Sequence, residues 1–205
     1  MNLRAIVSTG VLFLGTTLGV AHAEPPKGKG LNKPGMPATA GPAGDKKAGD
    51  KKGADTAGMA KAEIKTADGK SVGTLNLEET PRGVLITADL SNLPAGTHAF
   101  HIHETGKCEA PFKTAGGHFN PDMKKHGMKA GDGQHAGDLP NIYVGSDGKA
   151  RFEAVAHGVT LKAGEKNSLM DTDGSAFVLH DKADDYKTDP AGAAGDRIAC
   201  GVVAK

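Results

Sequence analysis

Apolar side chains recur at every second position in this chain, in runs of four to nine residues, and no stretch shows a sustained helical period. Beginning at residue 62 the runs are AEIKT, SVGTLNLEE, RGVLITADL and THAFHIH, followed by NIYV, ARFEAVA, SAFVLH and RIACGVV. Period-two alternation places successive side chains on opposite faces, so each run reads as a strand with one face towards a core. Turn chemistry separates them: Asp68-Gly69 after the first run, SNLPAG before the fourth, and Gly145-Ser146-Asp147-Gly148 between the fifth and sixth. Composition agrees, with 30 Gly, no Trp and only 4% aromatics. The expectation is an all-β domain of about eight strands, an antiparallel Greek-key β-barrel or sandwich. Two segments without strand pattern, residues 104–139 and 181–196, are long for a compact domain, and loops of that length are usually functional.

The domain is expected to occupy residues 61–205. Before it, residues 24–60 are mainly Lys, Gly, Pro, Ala and Asp. They hold too little apolar surface to offset the entropy of ordering, which predicts a disordered linker. Its seven Lys against four acidic residues could draw it to a polyanionic surface, although a solvated spacer is the simpler reading. Residues 1–23 combine Arg4, a short apolar run over 11–20 and Ala21-His22-Ala23, the pattern of a secretory signal peptide. That run is too short and too rich in Gly and Thr for a membrane span. In an exported chain the two cysteines, Cys108 and Cys200, are expected as a disulfide. A net charge of +1 and the lack of interleaved basic and aromatic residues argue against nucleic acid as a partner.

The histidines carry the chemistry. His101 and His103 share one face of the THAFHIH strand, while Phe100 and Ile102 take the other. The first long loop then supplies His118, His126, His135 and Asp138, and His180 ends SAFVLH. Six imidazoles and one carboxylate on two strands and one loop point to metal: imidazole suits Zn, Cu, Fe and Ni.

H-x-H, then GGHFNP, then His126, His135 and Asp138, then HDKADD, then GDRIACGV resembles the copper,zinc superoxide dismutase family over nearly all of residues 61–205. The resemblance implies copper on His101, His103, His118 and His180, and zinc on His118, His126, His135 and Asp138, with His118 bridging the two ions. Asp184 resembles the family's carboxylate that holds one histidine of each set, here His101 and His126. Arg197 resembles the arginine beside the copper, and Cys108–Cys200 the intrachain disulfide. Implied with them is a superoxide anion substrate, dismutated to O₂ and H₂O₂ with His118 also carrying a proton.

Compared with the animal enzymes, the segment from Cys108 to His118 is longer, that from His103 to Cys108 is shorter, and the loop from Asp184 to Arg197 is reduced, with Ala191 where those enzymes place Thr. These features resemble the bacterial periplasmic branch. A homodimer is a further expectation, with its interface left open by the same differences. A periplasmic copper-binding or delivery protein on the same fold is the alternative function. A zinc hydrolase is disfavoured because His118, His126, His135 and Asp138 make a closed set of four. Lys124 and Lys125 are candidates for attracting an anion, or ordinary solvated lysines. His98 and His157 match no ligand position and are expected to be structural or surface residues.

Overall fold

The computed structural model describes residues 58–205; the expected signal peptide and almost all of the expected linker lie outside them. Among the described residues the strands are β1 (Met59–Thr66), β2 (Ser71–Thr80), β3 (Gly83–Leu90), β4 (Gly96–His98), β5 (Phe100–His103), β6 (Ile142–Val144), β7 (Ala150–Ala156), β8 (Ala176–His180) and β9 (Arg197–Ala204). Every pairing is antiparallel. One sheet of seven strands runs β5-β8-β9-β1-β2-β3-β7, and β4 pairs with β6 in a second, two-stranded ribbon.

The eight expected runs therefore become nine segments, because THAFHIH is broken at Ala99. Its first half bonds to β6 and its second to β8, so one strand serves two sheets. The ribbon links the two edges of the large sheet, since β4 leads into β5 and β6 turns into β7. That continuity curls the sheet into a half-barrel, in keeping with the antiparallel barrel or sandwich expected from the sequence.

The apolar sides of the strands meet inside it. Ile64, Leu75, Leu77, Val84, Ile86, Leu90, Phe100, Ile102, Phe177 and Leu179 form the centre of one core. Phe100 stacks on Phe177 with ring centroids 5.4 Å apart and meets Phe152 edge-on. β5 and β8 differ from the other strands in being buried on both faces. On their outer face Ala176 and Val178 pack with Phe112, Ala115 and Cys200 in a separate small cluster. That cluster belongs to the loop folded over them.

A third long connection, residues 157–175 between β7 and β8, joins the two expected ones. The Glu79 carboxylate pins it to β2, accepting hydrogen bonds from the Thr160 hydroxyl (2.8 Å) and the Leu161 amide (2.7 Å). Glu79 reads as a solvent-facing strand residue in sequence, so alternation gives no hint of this contact.

Candidate metal centre

Strand geometry delivers the first ligands. β5 and β8 pair with His101 opposite Val178 and His103 opposite Ala176, so both histidines point to the outer face. His180, two residues beyond Val178, follows the same alternation, and a register irregularity between Leu179 and His180 sets it beside Arg197 at the start of β9. The loop lies along the free edge of β5: the Ile102 amide donates to Gly137 O (2.9 Å) and the Phe119 amide to Ile102 O (2.8 Å). These bonds bring His118 opposite His103 and Asp138 opposite His101. A Cβ on Gly137 would lie 2.3 Å from Ile102 O, so only glycine permits that approach.

Two groups of four ligand atoms result, His101, His103, His118 and His180 in one and His118, His126, His135 and Asp138 in the other. All seven side chains are buried. In the first group His101 Nδ1 and the Nε2 atoms of His103, His118 and His180 are buried without a hydrogen-bond partner. Leaving four imidazole nitrogens unpaired in one small space is costly unless something shared satisfies them. Their other nitrogens explain which atom is left over. His101 Nε2 donates to Asp184 Oδ2 (2.9 Å) and His103 Nδ1 to Gly116 O (3.1 Å).

The second group is crowded as a hydrogen-bond network and spaced as a cation cradle. Three imidazole Nδ1 atoms, of His118, His126 and His135, lie 2.8, 3.0 and 3.2 Å from the single oxygen Asp138 Oδ1. His118 Nδ1 and His135 Nδ1 are also only 3.3 Å apart, where two protons would collide. A tetrahedral zinc with its usual ligand distances would space ligand atoms by about 3.3 Å. Asp138 is turned to offer Oδ1 because its Oδ2 accepts from the Gly127 and His135 amides, at 2.9 and 3.0 Å. His118 belongs to both groups, Nδ1 in one and Nε2 in the other.

Asp184 stands behind both. Its Oδ1 accepts from His126 Nε2 at 3.0 Å while Oδ2 holds His101. Gly192 lies so close that a Cβ there would come 1.8 Å from Asp184 Oδ1.

Electrostatics prepares three of the rings for a cation. Burial, reinforced by neighbouring charge, pushes His103 down to about 2 and His180 to about 3; burial also pushes His118 down to about 4 against the pull of Asp138. These three imidazoles are neutral and available as ligands near pH 7. Burial would lower His126 too, but its bonds to Asp138 and Asp184 outweigh that and raise it to about 9. Hydrogen bonds from the histidines hold Asp138 and Asp184 well below the usual carboxylate range despite their burial.

Arg197 donates to Phe112 O through Nη1 (2.6 Å) and to Gly116 O through Nη2 (2.7 Å). Gly116 O thus serves both the guanidinium and His103. The arginine's cation helps depress His103 and His180. Three residues along β9, Cys200 is bonded to Cys108, tying down the same loop segment. Lys125 forms an ion pair with Asp132 at 2.9 Å, which offsets its charge. The two remaining described histidines lie apart from the groups. His98 is buried with its ring nitrogens 2.9 and 3.0 Å from the carbonyls of His180 and Pro94, and exposed His157 contacts Arg82 O.

Sequence reasoning overlooked two residues that hold this arrangement, Asn141 and Tyr186. Neither has ligand chemistry; the only hint is their closeness in sequence to Asp138 and Asp184.

A half-barrel of antiparallel strands carrying two four-ligand cradles joined by one imidazole defines a dinuclear metalloprotein. The chain belongs to the copper/zinc superoxide dismutase family, whose sequence profile matches residues 71–203. It is similar to "Superoxide dismutase [Cu-Zn] 1" of Aquifex aeolicus, 53% identical over 144 residues, covering 69% of this chain and 85% of the relative. The dismutase of Caulobacter vibrioides is 45% identical over 147 residues, covering 70% and 84%. The crystal structure of a SOD-like protein from Bacillus subtilis matches with a TM-score of 0.67 at 42% identity, covering 69% of this chain and 96% of that one.

Proposed function

We propose that His101, His103, His118 and His180 bind the copper, that His118, His126, His135 and Asp138 bind the zinc, and that Arg197 attracts the substrate. Family membership carries the reaction, in which two superoxide anions and two protons give dioxygen and hydrogen peroxide. The observation supporting the ligand sets is the pair of cradles meeting at His118: four partnerless nitrogens on one side, and on the other three imidazole nitrogens crowded around one carboxylate oxygen.

When bound, copper supplies a one-electron couple and zinc a fixed charge without redox chemistry. The chain does the rest. His118 Nε2 is the proton-carrying atom, since Nδ1 is committed to the zinc side, which keeps the ring in place while Nε2 exchanges partners. Asp184 fixes the tautomers of His101 and His126 by accepting from the outer nitrogen of each. Arg197, held by two carbonyls, supplies a permanent cation with planar donors for a small anion.

The chain is further proposed to be exported to the periplasm, with residues 1–23 as signal peptide, a linker from residue 24 up to β1, and the catalytic domain from Met59, the first residue of β1 and two residues earlier than expected, to residue 205. The Cys108–Cys200 disulfide supports an oxidising compartment, and a mature chain beginning at Glu24 would fit this reading. A homodimer is proposed on the family resemblance and can be read by sedimentation of the loaded protein.

Elemental analysis of the reconstituted mature chain should find about one copper and one zinc, and the loaded protein should consume superoxide. Both metals without superoxide consumption would favour copper delivery instead. A single bound ion would remove the shared-histidine assignment.

A further inference from the structure

Asp184 can hold two histidines only if its own backbone and carboxylate are fixed, and the fixing comes from outside the ligand sets. Asn141 grips Asp184 through two hydrogen bonds. The Asp184 amide donates to Asn141 Oδ1 (2.8 Å), and Asn141 Nδ2 donates to Asp184 O (2.9 Å). Asn141 lies three residues after Asp138, so this grip latches the 181–196 loop to the zinc-side loop. The Asn141 amide in turn donates to the Tyr186 hydroxyl at 2.7 Å.

Tyr186 closes the circuit. Its amide donates to Asp184 Oδ1 at 2.6 Å, the oxygen that also receives His126. Its carbonyl accepts from the Lys129 amide at 3.0 Å, and Lys129 Nζ lies over its ring, 5.2 Å from the centroid. To make these contacts Tyr186 takes φ 64, a left-handed conformation rarely adopted by a bulky side chain. A strained residue beside a functional site is held there by what surrounds it, and its strain points to a role. Gly127, next to the zinc-side His126, packs so tightly on Tyr186 O that a Cβ would come within 2.1 Å of it.

We propose that Tyr186 and Asn141 are positioning residues that set the Asp184 carboxylate and thereby govern how tightly both metals are held. The inference rests on the ligand assignment proposed above. Because Asp184 reaches one histidine of each set, disturbing this latch acts on copper and zinc together, although neither residue touches a metal ligand's binding nitrogen.

The experiment uses the copper- and zinc-loaded chain and follows release of each ion to excess chelator, alongside the visible and electron paramagnetic spectra of the copper. Tyr186→Phe keeps the ring and removes the acceptor of the Asn141 amide; Asn141→Ala removes the double grip. Losing partners behind ligating histidines typically costs 10–100-fold in metal affinity, so each variant should release both ions about tenfold faster and alter the copper spectrum. Asp184→Asn should do at least as much. Adding Tyr186→Phe to it should then do little more, because the carboxylate it positions is already gone. Should Asn141→Ala fail to fold, Tyr186→Phe alone carries the comparison. Unchanged release of both ions, faster release of zinc alone, or full additivity with Asp184→Asn would each overturn the proposal. Failure of the wild-type chain to hold two metals would instead strike the ligand assignment, so the two failures are distinguishable.

Discussion

His118 offers a different nitrogen to each cradle, and no other described side chain does so. His118→Ala should therefore lower zinc retention and abolish most activity together, whereas His157→Ala, at an exposed ring facing one carbonyl, should leave both nearly unchanged. Metal content and superoxide consumption measured on both variants decide the point, and equal effects would mean the ligands are misassigned. Arg197 permits a second residue-scale prediction. In this chain the guanidinium is held by Phe112 O and Gly116 O, and Lys125 is already paired. Arg197→Glu should lower the rate roughly tenfold with metal content intact, since an anion would then meet an anion. Salt, which screens beyond about 8 Å at physiological strength, should slow the wild type and spare or quicken the variant. A variant with the wild-type rate and salt response would place the attracting charge elsewhere. That the six histidines would gather could be read from sequence because imidazoles are chemically conspicuous, and strand alternation sets the face of His101 and His103. The carbonyls that hold Arg197 could not, since a backbone oxygen has no signature in sequence.

Elements fail and hold differently from residues. The Cys108–Cys200 bond closes a separation of 92 residues and ties the loop to β9. In the chain-entropy model that link stabilises the fold by about 4–5 kcal/mol. Its position matters as much as its size, because Phe112, Gly116 and Arg197 lie on the two segments it joins. Mild reduction should hasten metal loss and lower activity before the seven-stranded sheet melts, as followed by chelator capture and by circular dichroism. Coincident loss of metal and sheet would mean the loop and the barrel are one cooperative unit. The strands themselves were legible from alternation to within about three residues, the largest difference being β1, which begins at Met59 rather than residue 62. The break at Ala99 was not, because the sequence alternates straight through it while the hydrogen-bond partner changes from β6 to β8. The 157–175 connection was equally hidden, being fixed by Glu79 from a strand about eighty residues earlier.

At the scale of the whole molecule, the buried titratable groups make the metal-free protein sensitive to pH. His103, His118 and His180 are depressed below the ordinary histidine value of 6.5. Below pH 6.5 the unfolded chain therefore binds protons that the folded chain refuses, and stability falls as acidity rises. The slope is about 1.4 kcal/mol per pH unit for each histidine titrating only when unfolded. The depressed Asp138 and Asp184 act in the same sense further into acid, since their contribution, present above the ordinary carboxylate value, is lost as pH falls. His126, raised to about 9, contributes stability below 6.5 that is lost as pH rises through 9. Denaturant midpoints of the metal-free, disulfide-bonded chain should accordingly peak near pH 7, decline from there towards pH 9 and drop steeply by pH 4; a flat profile would contradict the burial of these rings. The loop bonded along β5 has one more consequence. β5 is an edge of the seven-stranded sheet, and residues around Gly117, Phe119 and Gly137 occupy its outward amides and carbonyls. On the proposed ligand assignment, metal and disulfide together would fasten a lid over a raw sheet border. Once both are removed, that border is a template for another copy of the chain, and the molecule's resistance to aggregation goes with its cofactors.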